Sequence, residues 1–424
     1  MKNTNLKVIS IIIIIIGILL IYKGYTIQKN IALNNSNILS NKILLDNKIT
    51  TNKAGLYKDK DTYYFKGEVY NNYVKIFNRL YRIISITDKK VKIVSNVNEA
   101  VFYYGKSKDY KTSNINEWLN KTETPNSGIY YNTIPNVEKI LVKTSYNINN
   151  YHDKLTPIST ENAYFTILNI EDYLQAGSSK SYLNNGTASY ILGYDDNTIL
   201  EKTTTGNIKK INKTETSGIR VIMTLKKNMK VIKGNGTINN PYVISQKNNT
   251  NYINKYIQLG DDLYKVVEEQ ENILKLRKKK PLPEKKNFSN KLSGFNPLNK
   301  NNIAYYLNNT YYKSLSYKKL LKECTFYTSP IKTESNYTDI YKSKISTKIG
   351  LLNMYDLNIT DFLTDYYLVN TSSNDLETAY IYDKFGTIKE EKITTLNKII
   401  PVICIDKNSI KKGTGTQKNP YIIE

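Results

Sequence analysis

The sequence predicts an α+β chain in which an N-terminal transmembrane helix precedes two tandem, homologous, mostly β modules with short inserted helices. Three observations predict it. An unbroken apolar run extends from Val8 to Tyr22. The segment Lys233-Gly234-Asn235-Gly236-Thr237-Ile238-Asn239-Asn240-Pro241-Tyr242-Val243-Ile244 returns as Lys412-Gly413-Thr414-Gly415-Thr416-Gln417-Lys418-Asn419-Pro420-Tyr421-Ile422-Ile423. Between these landmarks, short β-branched runs alternate with Gly, Asn and Asp turns.

The apolar run holds six consecutive isoleucines, Ile11 to Ile16. As a helix it rises about 22 Å against a hydrocarbon core of about 30 Å, a length that suits a short anchor or a signal-peptide core. Tyr22, Lys23 and Tyr25 follow where a small-x-small cleavage pattern would stand, and lysines flank both ends. The expectation is therefore an uncleaved signal anchor over 8–22, with a cleaved leader as the alternative. Residues 1–7 would form a cytoplasmic tail and 23–50 a stalk. The expected location is the cell membrane, crossed once, with the bulk of the chain extracytoplasmic.

Module 1 is expected over 51–246 and module 2, its diverged repeat, over 250–424, joined by a polar segment from Ser245 to Thr250. Besides the two tails, four pairs of segments recur in the same order. Tyr73-Val74 with Leu80 to Ile84 matches Tyr256-Ile257 with Leu263 to Val267, and Ile115 to Asn120 matches Ile303 to Asn308. Leu168 to Asp172 matches Leu352 to Asp356, and Ile219 to Leu225 matches Ile400 to Ile405. Within a module, Leu80 to Ile86 and Val91 to Val94 flank a short turn and predict a hairpin. Asn114 with Glu117, and Asn169 with Glu171 and Asp172, predict helix starts, as Asn302 and Asn353 do in the repeat.

Composition bounds the chemistry. The chain has 424 residues, a mean hydropathy of −0.48 and a net charge of +24, with 48.9 kDa of mass. Its 38 tyrosines exclude a wholly disordered chain. Only four of its 61 basic residues are arginine, which argues against phosphate-clamping nucleic-acid recognition. Nucleic acid is accordingly disfavoured as a partner, and a glycan or anionic wall polymer is favoured. One histidine, His152, and two cysteines, Cys324 and Cys404, cannot build a His-rich metal site or a zinc knuckle. No cofactor, metal or catalytic residue is expected.

With Gly55-Leu56-Tyr57, Asp61 to Phe65, Trp118-Leu119-Asn120, Gly218 to Ile222 and the closing Gly-x-Gly-Thr segments, the chain resembles uncharacterised membrane-anchored surface proteins of low-GC bacteria. Their modules are distantly similar to the formylglycine-generating-enzyme and C-type-lectin-like fold. The resemblance implies that fold for 51–245 and, less directly, for 250–424, where Tyr306 stands in place of the tryptophan. The calcium-ligand patterns of lectins are absent, so no sugar site transfers. The formylglycine-generating relatives bind copper through a cysteine pair, which Cys324 and Cys404 bring to mind.

Each candidate also has a plain reading. The Gly-x-Gly-Thr segments lead into Asn-Pro and a strand, so they are turns and not nucleotide loops. Glu171 and Asp172 offset a helix dipole. Cys324 and Cys404 form a disulfide or are separate core residues. His152 is solvated. The basic run Lys275, Arg277, Lys278, Lys279, Lys280, Lys285 and Lys286 is a loop available to an anionic polymer. Tyr103, Tyr104, Tyr130 and Tyr131 offer faces for sugar stacking, or belong to the core. The expected function is non-catalytic binding of a glycan, wall polymer or host molecule. The alternatives are an enzyme on the formylglycine-generating scaffold, or a structural part of an envelope assembly.

Overall fold

In a computed structural model of the chain, the residues described are 14–28, 36–123, 128–152, 155–245, 251–362 and 364–423. The expected cytoplasmic tail and the first part of the apolar run, Val8 to Ile13, lie outside them, as does most of the expected joint, 246–250. Residues 14–28 form one helix. No helix among the described residues is long and apolar enough to cross a membrane. The expected single-pass anchor, and with it the expected membrane location, is corrected on that ground: fifteen residues of helix reach about 22 Å, short of a bilayer core.

The expected stalk is corrected too. Residues Leu39–Asp46 are a helix whose Leu39 and Ile43 are fully buried. The Leu39 amide donates to the Met229 carbonyl at 2.8 Å, so this helix belongs to the first module. Leu39 and Ile43 lie four apart on one face, which is what turns an Asn- and Lys-rich stretch into an amphipathic helix.

The remainder is a strand-rich α+β structure, 39% strand and 20% helix. Seven strands of the first module form its main sheet: β1 (Tyr73–Ile76), β2 (Arg79–Thr87), β3 (Lys90–Ser95), β4 (Phe165–Ile167), β5 (Val221–Leu225), β6 (Val231–Lys233) and β7 (Tyr242–Ile244). Seven of the second do the same: β8 (Tyr256–Leu259), β9 (Asp262–Gln270), β10 (Ile273–Lys278), β11 (Ile349–Gly350), β12 (Val402–Asp406), β13 (Ile410–Lys412) and β14 (Tyr421–Ile423). The spatial order is β6-β7-β1-β2-β3-β5-β4 in one sheet and β13-β14-β8-β9-β10-β12 in the other, where both β11 and an eighth strand, Leu321–Lys322, pair with β12. The hairpin Gly55–Asp59 with Thr62–Lys66 extends the first sheet.

Registers repeat as well as order. Tyr242 lies opposite Val74 and Tyr421 opposite Ile257, in parallel pairings of β7 with β1 and of β14 with β8. The β2–β3 ladder is irregular between Ile83 and Ser85, and the β9–β10 ladder between Val266 and Glu268. The turn between β2 and β3 places Asp88 and Lys89 at positive φ, the geometry that suits a two-residue hairpin. Before each closing strand, Gly234 and Gly413 adopt φ of +107° and +106°. A Cβ there would lie 1.8 and 2.2 Å from the Pro241 and Pro420 carbonyl oxygens, so only glycine fits.

Each module also carries a three-stranded meander, Ser189–Asp195, Thr198–Lys202 and Ile208–Ile211 in the first and Tyr366–Thr371, Thr378–Tyr382 and Ile388–Lys392 in the second. The inserted helices differ. Asn114–Asn120 is capped by Ser113, whose hydroxyl accepts from the Asn116 amide, which corrects the expected cap at Asn114. Asn114 is spent elsewhere: its side chain donates to the Ser335 carbonyl and accepts from the Tyr337 amide, both in the second module. Trp118, fully buried, donates to the Tyr355 carbonyl at 2.9 Å, and Phe102 packs edge-on against the Tyr355 ring at 4.8 Å. Asn169 does cap Ile170–Ala176, but its counterpart Asn353 opens a turn and not a helix.

Cys324 and Cys404 are joined in a disulfide with a Cα separation of 6.2 Å, tying the strand Cys324–Tyr327 to buried β12 across 80 positions. Reduction is expected to lower the unfolding free energy by about 4 kcal/mol on the chain-entropy account. Urea unfolding with and without reductant measures this, and coincident curves would contradict it.

Candidate functional site

The feature the two modules share beyond their backbone is a lysine facing an aspartate. Lys92 on β3 lies opposite Ser85, and Lys275 on β10 lies opposite Glu268, each at the residue that follows the ladder irregularity. The aspartates come from the segments after β4 and β11. Asn169 Oδ1 accepts from the Asp172 amide at 2.7 Å, and Asn353 Oδ1 accepts from the Tyr355 amide at 2.8 Å. These local turns hold Asp172 and Asp356 over the same place on their sheets.

In the first module the pair is direct. Lys92 Nζ donates to both Asp172 oxygens, at 3.0 and 3.2 Å. Burial opposes the Lys92 charge, but Asp172 outweighs it and the lysine titrates above its ordinary value. An open cleft of about 590 Å³ surrounds the pair, with exposed Lys60, Lys143, Glu171 and Gln175 on its rim and the hydroxyls of Thr87, Thr144 and Thr224 on its walls.

The second module rewires the same positions. Lys275 donates to Glu268 at 2.5 Å, and Asp356 accepts from the Asn353 amide at 2.8 Å. Asp356 is buried, and burial pushes its carboxyl up to about 6 against the opposing pull of Lys275. The cavity here, about 380 Å³, is lined by Ile129, Asn132 and Thr133 of the first module together with Tyr327 and Tyr341 of the second. The first module's cleft is thus lined by that module alone, while the second module's cavity is shared with its neighbour.

Comparison with protein-family models, curated proteins and solved structures yields no match. The site is read from its own residues.

The basic run is corrected by its placement. Lys275, Arg277 and Lys278 are not a loop but part of β10, at 6%, 0% and 9% exposure. Their charges are met by Glu268, Asp361 and Asp262 respectively. Of the rest, Lys280 and Lys285 are exposed, Lys279 is half-buried, and half-buried Lys286 lies over the Tyr306 ring at 4.6 Å. The run therefore makes no continuous surface. A row of bases can sit inside a sheet only because carboxylates on neighbouring segments offset the desolvation.

The remaining candidates are structural. Tyr103, Tyr104 and Tyr130 are buried, which removes them as stacking platforms, and Tyr131 packs partly buried against the core. Glu171 and Asp172 both stand in the first turn of Ile170–Ala176, where the helix-dipole reading puts them, and Asp172 is paired with Lys92 as well. His152 Nδ1 is 3.4 Å from Asp195 on an exposed edge. Lys210 lies 3.5 Å from Asp195 and 3.0 Å from Asp196, and supplies those carboxylates with a cation of their own. The disulfide leaves Cys324 and Cys404 without a thiolate to offer, and Cys404 is fully buried, so the pair does not fit copper.

Lys92 and Asp172 were not singled out from the sequence as a pair. The signal was present: the matched segments Leu168 to Asp172 and Leu352 to Asp356 both end in aspartate, and extending the hairpin match aligns Lys92 with Lys275.

Because the Asp356 carboxyl titrates near 6 in the fold and near 4 when unfolded, the folded state binds the extra proton between these values. Its contribution is then full below about pH 4 and is lost as pH rises through 6. Asp356→Asn should remove this loss, making the variant more stable than the parent at pH 7.5 by about 2–3 kcal/mol but not at pH 4. Urea unfolding at the two pH values measures it; an equal difference at both would contradict the assignment.

Proposed function

We propose that the protein is a non-catalytic binding protein whose first module takes a segment of an acidic, polyhydroxylated polymer in the Lys92–Asp172 cleft. The observation that carries this reading is the cleft's lining. Threonine hydroxyls and an amide supply paired donors and acceptors for sugar or polyol hydroxyls, while Lys60, Lys90 and Lys143 outnumber Asp59 and Glu171 at the edge. The excess of base over acid in the whole chain favours an anionic partner over a neutral one.

An enzyme built on the formylglycine-generating scaffold is the less supported alternative. It would need an activated nucleophile or a metal-binding cysteine pair, and the lysine and aspartate in the cleft neutralise each other in a direct ion pair.

Binding of the full chain to acidic and neutral polysaccharides by calorimetry tests the proposal. Acidic polymers should bind with micromolar affinity that falls as salt rises, and neutral ones weakly. The double rim variant Lys60→Glu with Lys143→Glu, whose side chains are exposed, should lose affinity about 10-fold or more, roughly 1.4 kcal/mol, without loss of stability. No binding up to high micromolar concentration, or binding indifferent to the rim charges, would overturn it.

A further inference from the structure

The cavity of about 380 Å³ in the second module holds a charge that its counterpart in the first does not. The difference begins at one position of the hairpin. Lys92 stands opposite Ser85, but Lys275 stands opposite Glu268. An acid across the ladder captures the lysine: Lys275 donates to Glu268 at 2.5 Å, while Lys92, facing a serine, reaches over to Asp172 at 3.0 Å. Asp356 is left over. Among the described residues no ion pair includes it, although it is 8% exposed and lines the cavity. The Asn353 amide donates to its Oδ2 at 2.8 Å, but a neutral donor leaves the charge in place. Burial pushes the carboxyl up to about 6, so at pH 7.5 it is ionised where an unpaired charge is costly.

The lining indicates what would meet that charge. The charged groups on the cavity wall are Glu268, Glu269, Asp356 and Lys275, three carboxylates against one base. Glu268 is paired with Lys275, and Glu269 with Lys407 from outside the wall, so the surplus negative charge rests on Asp356. The rest of the wall includes buried Ile253, Val267 and Ile340 and the rings of Tyr327 and Tyr341, packed edge-to-face with centroids 4.7 Å apart. Tyrosine rings attract a cation, and aliphatic side chains favour a ligand with an apolar body. A hard divalent ion asks instead for roughly six to eight oxygen ligands and gains nothing from aliphatic walls.

We infer that this cavity binds a small primary amine with an apolar body, its ammonium paired with Asp356 and its body set among Tyr327, Tyr341 and the aliphatic side chains. Because Ile129 of the first module shares the lining with Ile253 and Ile340 of the second, the occupant also bridges the two modules. The site is independent of the polymer cleft, where Lys92 already neutralises the equivalent aspartate.

The test is calorimetric titration of the full chain at pH 7.5 and constant ionic strength with benzylamine, its neutral counterpart benzyl alcohol, and calcium chloride, with melting temperature as a second readout. Benzylamine should bind saturably at or below about 1 mM and raise the melting temperature, with benzyl alcohol and calcium each weaker by about 10-fold or more. Asp356→Asn should weaken benzylamine binding about 10-fold or more, and since the same change is expected to stabilise the fold at this pH, unfolding would not account for the loss. Glu268→Ser, which restores the first module's residue and frees Lys275 to pair with Asp356, should weaken it similarly, and it decides the matter should Asp356→Asn fail to fold. The inference is overturned if benzylamine binds no better than benzyl alcohol up to about 10 mM, if calcium binds as tightly as the amine, or if the folded variants bind as the parent does.

Discussion

Each main sheet depends on one parallel pairing, between the strand that closes its module and the strand that leads into its central hairpin. The backbone at Tyr242 meets that at Val74, and at Tyr421 that at Ile257. This pairing is non-local and carries a large loop-closure cost, so something must aim the returning chain. Gly234 and Gly413 do so, because only a residue without a side chain can pass so close to the following proline carbonyl. With the ends secured, the hairpin between them keeps its register and its irregularity, and those set where Lys92 and Lys275 emerge. The chemistry of both sites is downstream of a backbone constraint.

Much of this architecture was legible in the sequence, and for a physical reason. Turn glycines, cap residues such as Asn169 and β-branched runs act locally, so their pattern survives when side chains diverge. What was not legible depended on how separate segments come together. Lys275, Arg277 and Lys278 read as a solvated run because the acids that neutralise them, Glu268, Asp361 and Asp262, come from other segments. Asn114 sits where a cap belongs, yet a serine one residue earlier does that work and frees the amide to bind the second module. The stretch before residue 50 looked like a spacer because two buried side chains, Leu39 and Ile43, are a faint signal among many polar ones. The apolar leader drew an inference of membrane crossing from composition that the length of its described helix does not support.

The buried bases qualify any argument from net charge. Arg220 is fully enclosed and donates to the Ser95 and Leu183 carbonyls, with its pKa pushed down to about 10, chiefly by burial. Lys202 is pushed down to about 7 by burial, with Arg220 adding to the effect. A share of the positive residues is thus taken up inside the fold, and the field felt by a partner comes from those left on rims such as the one around Lys92.

Duplication of a binding fold ordinarily doubles valency, and a polymer with repeating units would reward that through avidity. Here the way the halves dock works against it. The short helix Ile129–Asn132 of one half helps to line the other half's equivalent hollow. The two hollows of one chain are therefore unequal, and under the proposed reading a polymer of identical units would find its matching hollows on separate chains rather than within one.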